Sequence, residues 1–273
     1  MKKVLTIAGS DCSGGAGIQA DLKTMSAHGV FGMSVIVSVV AENTSRVISF
    51  QDISPEIVEN QIDAVFEDIE VDAIKIGMLS NAEIMKTVAK KLKEYKPKNI
   101  VIDPVMYAKT GDALMDPNAI DTMIAEVIPL ADVLTPNIPE AEKISGITIS
   151  NIEDMEEAAR IIHEMGSRSV LVKGGHAVGD AVDVLFDGSK YRYYSAERIQ
   201  TKNTHGTGCT YSSSIASNLG LGIPIADAIA EAKEYVTTAI MHSLSIGKGH
   251  GPTNHFYNLY LNGLEQKEGS NNE

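Results

Sequence analysis

Six short apolar runs, separated by longer amphipathic stretches, limit what this chain can fold into more than any other feature. They fall at residues 4–8, 35–40, 73–76, 99–102, 133–135 and 170–172 and are rich in Val and Ile. Near-continuous apolar strands are what a sheet needs when helices cover both of its faces. Between the runs, the spacing predicts helices over 18–28, 55–66, 81–94, 117–128 and 152–165. Alternating β and α elements imply an α/β fold, with a central mostly parallel sheet and right-handed crossovers. Within 183–195, two alternating runs flank Asp187-Gly188, a hairpin signal. From Gly208 the pattern is helical through Leu221, and again from Ile225 to Leu244. No internal repeat and no linker rich in Pro, Gly or Ser divides the chain. Its 273 residues suit one large domain, 1–264, followed by a polar tail at 265–273 expected to fray.

Composition removes several function classes. The net charge of −13 argues against a nucleic-acid binder, which needs a basic face. Trp is absent and aromatics make up 5%, so stacking platforms for bases are not expected either. The first apolar run, "VLTIAGS", is too short to span a membrane or act as a signal peptide. No membrane partner is expected, and the cytoplasm is the expected location. The two cysteines, Cys12 and Cys209, read as free thiols, and no Cys/His array suggests zinc.

In open α/β sheets, ligands bind beyond the carboxyl ends of the strands. Polar and glycine residues gather at that rim: "GSDCSGGAGIQADLKT" (9–24), "GMLS" (77–80), "DPVMYAKTGDALM" (103–115), "PNIPEAE" (136–142), "KGGH" (173–176) and "THGTGCT" (204–210). In the last of these, Gly206, Thr207, Gly208 and Cys209 stand where a helix begins. Glycines allow close backbone approach to an anion, and the helix start favours negative charge. A Cys there is expected to have a lowered pKa and to act as base or nucleophile. A glycine turn followed by a buried cysteine is the plainer alternative. There is no Walker A loop, and Gly14, Gly15 and Gly17 lack the dinucleotide-binding spacing. An oxidoreductase is not supported.

Asp103 and Glu140 follow neighbouring strands, and two such carboxylates suit a hydrated magnesium ion. Glu140 could equally be a first-turn helix acid. Lys173 would bring a cation to the same rim. Anion-binding helix start, cation and carboxylates together make a phosphoryl-transfer constellation. His205 reads as a neutral hydrogen-bonding loop residue, Cys12 as incidental, and "KGHGP" (248–252) as a terminal turn.

The segments "LTIAGSDCSGGAGIQADLKT", "KIGML", "VIDPVM", "TPNIPEAE", "VLVKGGH" and "THGTGCT" resemble, in order, the hydroxymethylpyrimidine kinase/phosphomethylpyrimidine kinase family of thiamine biosynthesis. That family belongs to the ribokinase-like superfamily, whose members include bacterial pyridoxal kinases. The resemblance implies a ribokinase-like sheet with helices on both faces, a homodimer, and ATP and Mg2+ as cofactors. It implies two successive phosphorylations of 4-amino-5-hydroxymethyl-2-methylpyrimidine. It assigns Gly206, Thr207 and Gly208 to the anion hole and Cys209 to the catalytic base. Asn137 and Glu140 match the magnesium-associated NxxE motif, Asp103 a nearby magnesium- and phosphate-associated acid, and Lys173 the nucleotide-phosphate lysine. Asp21 and Glu42 match pyrimidine contacts, and Met78 a wall of that pocket. The family often reads "AQNT" where this chain reads "AENT" (41–44). An ionised Glu42 only accepts hydrogen bonds, whereas Gln also donates. Pyridoxal/pyridoxine kinase is therefore the nearest rival reading. A non-catalytic metabolite sensor would not need Cys209, Glu140, Lys173 and Asp103. Residues 107–115 read as a flap that closes over the site.

Overall fold

A computed structural model describes residues 1–175 and 181–268, with side chains to residue 263. One nine-stranded sheet runs through the molecule in the order β3-β2-β1-β4-β5-β6-β7-β8-β9. Its parallel centre comprises β2 (Phe31–Asn43), β1 (Lys3–Asp11), β4 (Ala73–Ile76), β5 (Ile100–Ile102), β6 (Val133–Leu134) and β7 (Val170–Val172). Antiparallel strands flank it: β3 (Arg46–Asp52) on one side, and β8 (Ala181–Phe186) with β9 (Tyr191–Ala196) on the other. The β8–β9 turn uses Gly188 at φ +87°, and Asp187 Oδ1 accepts from the Ser189 and Lys190 amides.

Neighbouring residues within each central strand serve two different cores. Leu5, Ile74, Leu134 and Val170 face one, while Val4, Ala73, Val133 and Leu171 face the other. The period-two geometry of a strand makes this unavoidable, and it explains why these runs are apolar throughout. The first core is covered by α2 (Pro55–Phe66), α3 (Ala82–Tyr95), α5 (Ile138–Ser145) and α6 (Ile152–Glu164). It is also covered by a segment over 117–130 in which α4 (Ile120–Thr122) is flanked by 3-10 and π-type turns. The second is covered by α1 (Gly17–Ala27), α7 (Thr207–Gly220) and α8 (Ile225–Met241).

Three features depart from the sequence reading. The strand expected at 35–40 extends to Asn43 and turns back into β3, whose Ile48 and Phe50 are exposed. An apolar–polar alternation without a buried face gives little strand signal. Residues 138–145, where the sequence reading delimits no helix although Glu140 could be a first-turn acid, form α5, because Asn137 and Glu140 cap it reciprocally. The tail expected from 265 is helical to Glu268 within α9 (Tyr257–Glu268), and 269–273 lie outside the described residues, as does His176 of "KGGH". No helix among the described residues is long and apolar enough to cross a membrane.

Candidate active site

Strand order reverses beside β1, which pairs with both β2 and β4. At such a switch point the crossovers leave to opposite faces and open a crevice. The crevice here is a cavity of about 650 Å³, lined by residues that follow β1, β4, β5, β6 and β7 and by the start of α7.

Gly206 is the N-cap of α7, with φ +77°. A Cβ there would lie 1.8 Å from the Gly15 carbonyl oxygen, so only glycine fits. A Cβ on Gly208 would come within 3.1 Å of Asp103 Oδ2 and 3.7 Å of Lys173 Nζ. The helix start therefore lies against the Asp103–Lys173 pair. Amides in the first helical turn lack intrahelical acceptors and favour an anion, although the Thr207 amide donates here to the Thr204 carbonyl at 3.3 Å.

Lys173 donates to Asp103 Oδ1 at 2.6 Å, and Thr135 Oγ1 donates to the same oxygen at 3.2 Å. Burial disfavours the ammonium, but Asp103 and Glu140 outweigh it and raise its pKa. Glu140 Oε2 accepts from the Asn137 amide at 2.9 Å, and Asn137 Oδ1 accepts from the Glu140 amide at 3.0 Å. Glu140 is thus the first-turn acid of α5 as well as a cavity residue. Burial, with Asp103 adding, pushes it up to about 7 against the pull of Lys173. Two buried carboxylates whose charge the site does not fully offset form a donor set that fits magnesium, which keeps its own waters.

Cys209 lines the cavity one residue beyond Gly208. Its expected low pKa is corrected by the structure. Burial pushes the thiol up to about 11, with Asp21 and Asp103 adding and Lys75 and the Gly17 amide opposing. The helix start alone does not overcome desolvation and two nearby carboxylates.

Asp21 requires a second correction. Expected at the substrate, it is fully buried and does not line the cavity. Its carboxylate accepts from Lys75 Nζ (2.9 Å), Thr6 Oγ1 (2.6 Å) and Ser213 Oγ (2.7 Å). The residue that reaches the cavity is Lys75, fully buried in β4. Burial works against its charge, yet Asp21, Cys209 and Asp103 raise its pKa. Lys75 escaped the sequence reading, although a lysine inside the apolar run "AIKI" was itself a signal.

Glu42 and Met78 line the cavity, and Met78 packs with Val40 and Leu114. Burial and then Asp11 push the Glu42 carboxyl up to about 7. Asp11 was also missed, whereas His205, read from sequence as a hydrogen-bonding loop residue, is bonded to it. His205 Nε2 donates to Asp11 Oδ2 at 2.9 Å, while the Ser13, Gly15 and Ala16 amides donate to the same carboxylate. Asp11, Glu42 and His205 each bring one ligand-type atom within 4.8 Å of the others. With Asp11 engaged by four donors, this corner does not fit a metal. A further group missed from sequence is the Lys233–Asp183 pair at 2.7 Å, with Lys233 lying over the Tyr211 ring. In the expected flap, Tyr107 bridges to Ala113, and Asp112 Oδ2 accepts from the Val47 amide of β3 at 3.3 Å.

A family model described as phosphomethylpyrimidine kinase matches residues 11–254. The chain is 49% identical over 257 residues to the hydroxymethylpyrimidine/phosphomethylpyrimidine kinase of Rhizobium meliloti, covering 93% of this chain and 96% of that one. It is 51% identical over 253 residues to the thiamine biosynthesis bifunctional protein ThiED of Geobacter sulfurreducens. That match covers 92% of this chain and spans about half, 52%, of the longer protein. Among solved structures, the ADP complex of Bacillus subtilis pyridoxal kinase superposes with a TM-score of 0.88 at 41% identity. It covers 96% of this chain and all of that one.

Proposed function

The chain belongs to the phosphomethylpyrimidine kinase family, and we propose that it phosphorylates 4-amino-5-hydroxymethyl-2-methylpyrimidine with ATP and then phosphorylates the monophosphate to the diphosphate. The observation that carries this reading is the convergence of the Gly206–Cys209 helix start, Lys173, Asp103, Glu140 and Glu42 on one cavity. The pyrimidine sits among Glu42, Met78, Val40 and Leu114, with its hydroxymethyl group towards Cys209. Lys173 binds phosphate oxygens of the nucleotide. The amides of Gly206, Thr207 and Gly208 stabilise charge on the transferring group. Cys209 takes the proton that the acceptor hydroxyl loses as its oxygen bonds to phosphorus. Asp103 and Glu140, with Asn137 beside them, would hold a magnesium ion, which would offset phosphate charge. Most of the catalysis is then positioning and electrostatics. The flap at 107–115 closes over the reactants and excludes water.

The similarity to a solved pyridoxal kinase supports a second reading, phosphorylation of pyridoxine-type alcohols. Magnesium-dependent ATP consumption with the pyrimidine, its monophosphate and pyridoxine as acceptors separates the two. Turnover of both pyrimidines well above pyridoxine is the expected result. Preference for pyridoxine, or no second phosphorylation, defeats the pyrimidine reading while leaving the fold intact. The proposed setting is a cytoplasmic, single-domain enzyme acting as a homodimer, with no membrane or nucleic-acid partner.

A further inference from the structure

In the pyrimidine reading, an acid at position 42 meets a ring edge that presents both a donor, the exocyclic amine, and an acceptor, the adjacent ring nitrogen. A carboxylate can meet only the donor. The environment of Glu42 resolves this mismatch.

Asp11, at the end of β1, is 1% exposed. Three backbone amides and His205 Nε2 donate to it, and this holds it ionised. A Glu42 oxygen lies within 4.8 Å of that carboxylate. Among the described residues, no hydrogen bond reaches the Glu42 carboxyl. Asp112 of the flap adds negative charge, and His205 offsets it only in part. The Cys12 thiol donates to the main-chain oxygen of Glu42 at 3.1 Å, not to its carboxyl. The one cation of the neighbouring β3, Arg46, is exposed and sits in register with Asn43, whereas Glu42 pairs with Val47. Two carboxylates this close, in a half-buried corner, do not both keep their charge. The one with the donors keeps it, and the other takes the proton.

We propose that Glu42 carries a proton in the free enzyme and shares it with the ring nitrogen of the bound aminopyrimidine while its second oxygen accepts from the exocyclic amine. One acid then performs a carboxamide's two tasks, and substrate affinity depends on pH. The inference rests on the pyrimidine reading above. The proton balance is simple. Either the O–H bond survives as O–H···N, or the proton moves to the ring and leaves a carboxylate–pyrimidinium pair. Below the pH at which free Glu42 titrates, about 7, binding takes up no proton; above it, binding takes up one. A pyridoxine-type ring lacks the amine and engages only half of this arrangement.

The test is calorimetric titration of the full chain with 4-amino-5-hydroxymethyl-2-methylpyrimidine between about pH 6 and about pH 9, in buffers of different ionisation heat. With Kd referred to the unprotonated ring, since the free aminopyrimidine nitrogen itself takes up a proton in mild acid, the wild type should show a flat Kd at the acid end. Above neutrality Kd should rise towards tenfold per pH unit, with uptake approaching one proton. Referred to the unprotonated ring, Glu42→Gln should bind with a flat Kd and no uptake above neutrality, whereas Glu42→Asp, which keeps the acid, should retain the slope. A flat wild-type profile, or an unchanged slope in Glu42→Gln, overturns the proposal. Binding of pyridoxine but of no pyrimidine at any pH overturns the substrate reading itself, which a flat profile would not.

Discussion

At the residue scale, Cys209 shows how two features of one site oppose each other. Lys75 and the Gly17 amide favour a thiolate, while burial and the carboxylates of Asp21 and Asp103 disfavour one more strongly, so the resting group is a thiol. This has a consequence for a two-step kinase. The first acceptor is an alcohol, which must lose a proton to form the new O–P bond. The second acceptor is a phosphate monoester, whose oxygen has already lost its proton near neutral pH. A base is needed in the first step alone. Cys209→Ala should therefore lower kcat for hydroxymethylpyrimidine by roughly 10²- to 10⁴-fold and kcat for its monophosphate by less than about tenfold. Because the thiol sits near 11, the wild-type first step should accelerate as pH rises through the alkaline range, while the second should not. Separate single-turnover assays of the two acceptors would check both points. Equal losses in the two steps would assign Cys209 to packing.

At the scale of elements, the central strands, six of the helices (α1, α2, α3, α6, α7 and α8) and the β8–β9 hairpin were legible, the strands because burial on both faces writes itself as uninterrupted apolar runs. The ribbon formed by β2 and β3 was not fully legible, because its outer residues meet solvent and follow no core. The cavity rim was legible as a set of strand-end motifs, and Gly206, Cys209, Asp103, Lys173, Glu140 and Glu42 all reach the cavity. Asp21 does not, since residue spacing does not say whether a carboxylate on α1 faces the crevice or the core. It faces the core, where it joins β1 (Thr6), β4 (Lys75) and α7 (Ser213) around one buried charge pair. Asp21→Asn would leave the fully buried Lys75 ammonium without its counter-ion, at a cost of about 3–5 kcal/mol. Thermal unfolding should show a Tm lower by roughly 10 °C. Adding Lys75→Met to that variant should recover part of the loss, because the stranded charge is gone. A melting point within a degree or two of wild type would mean that Asp21 does not hold these elements together.

At the scale of the whole molecule, the two margins of the sheet differ. Beyond β7, the β8–β9 hairpin packs onto α6 and α8 through Phe186, Tyr191 and Tyr194. Beyond β1, the β2–β3 ribbon leaves Phe31, Val39, Ile48 and Phe50 between 44% and 61% exposed. Exposed apolar side chains grouped on one ribbon mark an association surface more often than isolated ones do. A homodimer, as proposed above, would bury this ribbon against its counterpart in a second copy, a self-complementary arrangement of the kind two-fold symmetry requires. The same ribbon carries Val40 and Glu42 into the cavity, and its β3 strand is touched by the flap through Asp112 and Val47. Association would therefore steady one wall of the pyrimidine pocket. Light scattering should give twice the chain mass of 29.2 kDa, and Ile48→Glu with Phe50→Glu should halve it. In that monomer, KM for the pyrimidine should rise more than KM for ATP, because the residues proposed to meet the nucleotide phosphates, Lys173 and the α7 start, lie away from the ribbon. A wild-type protein that scatters as a monomer at assay concentration removes the dimer. Equal rises in both KM values would keep the dimer and deny the ribbon its part in shaping the pyrimidine pocket.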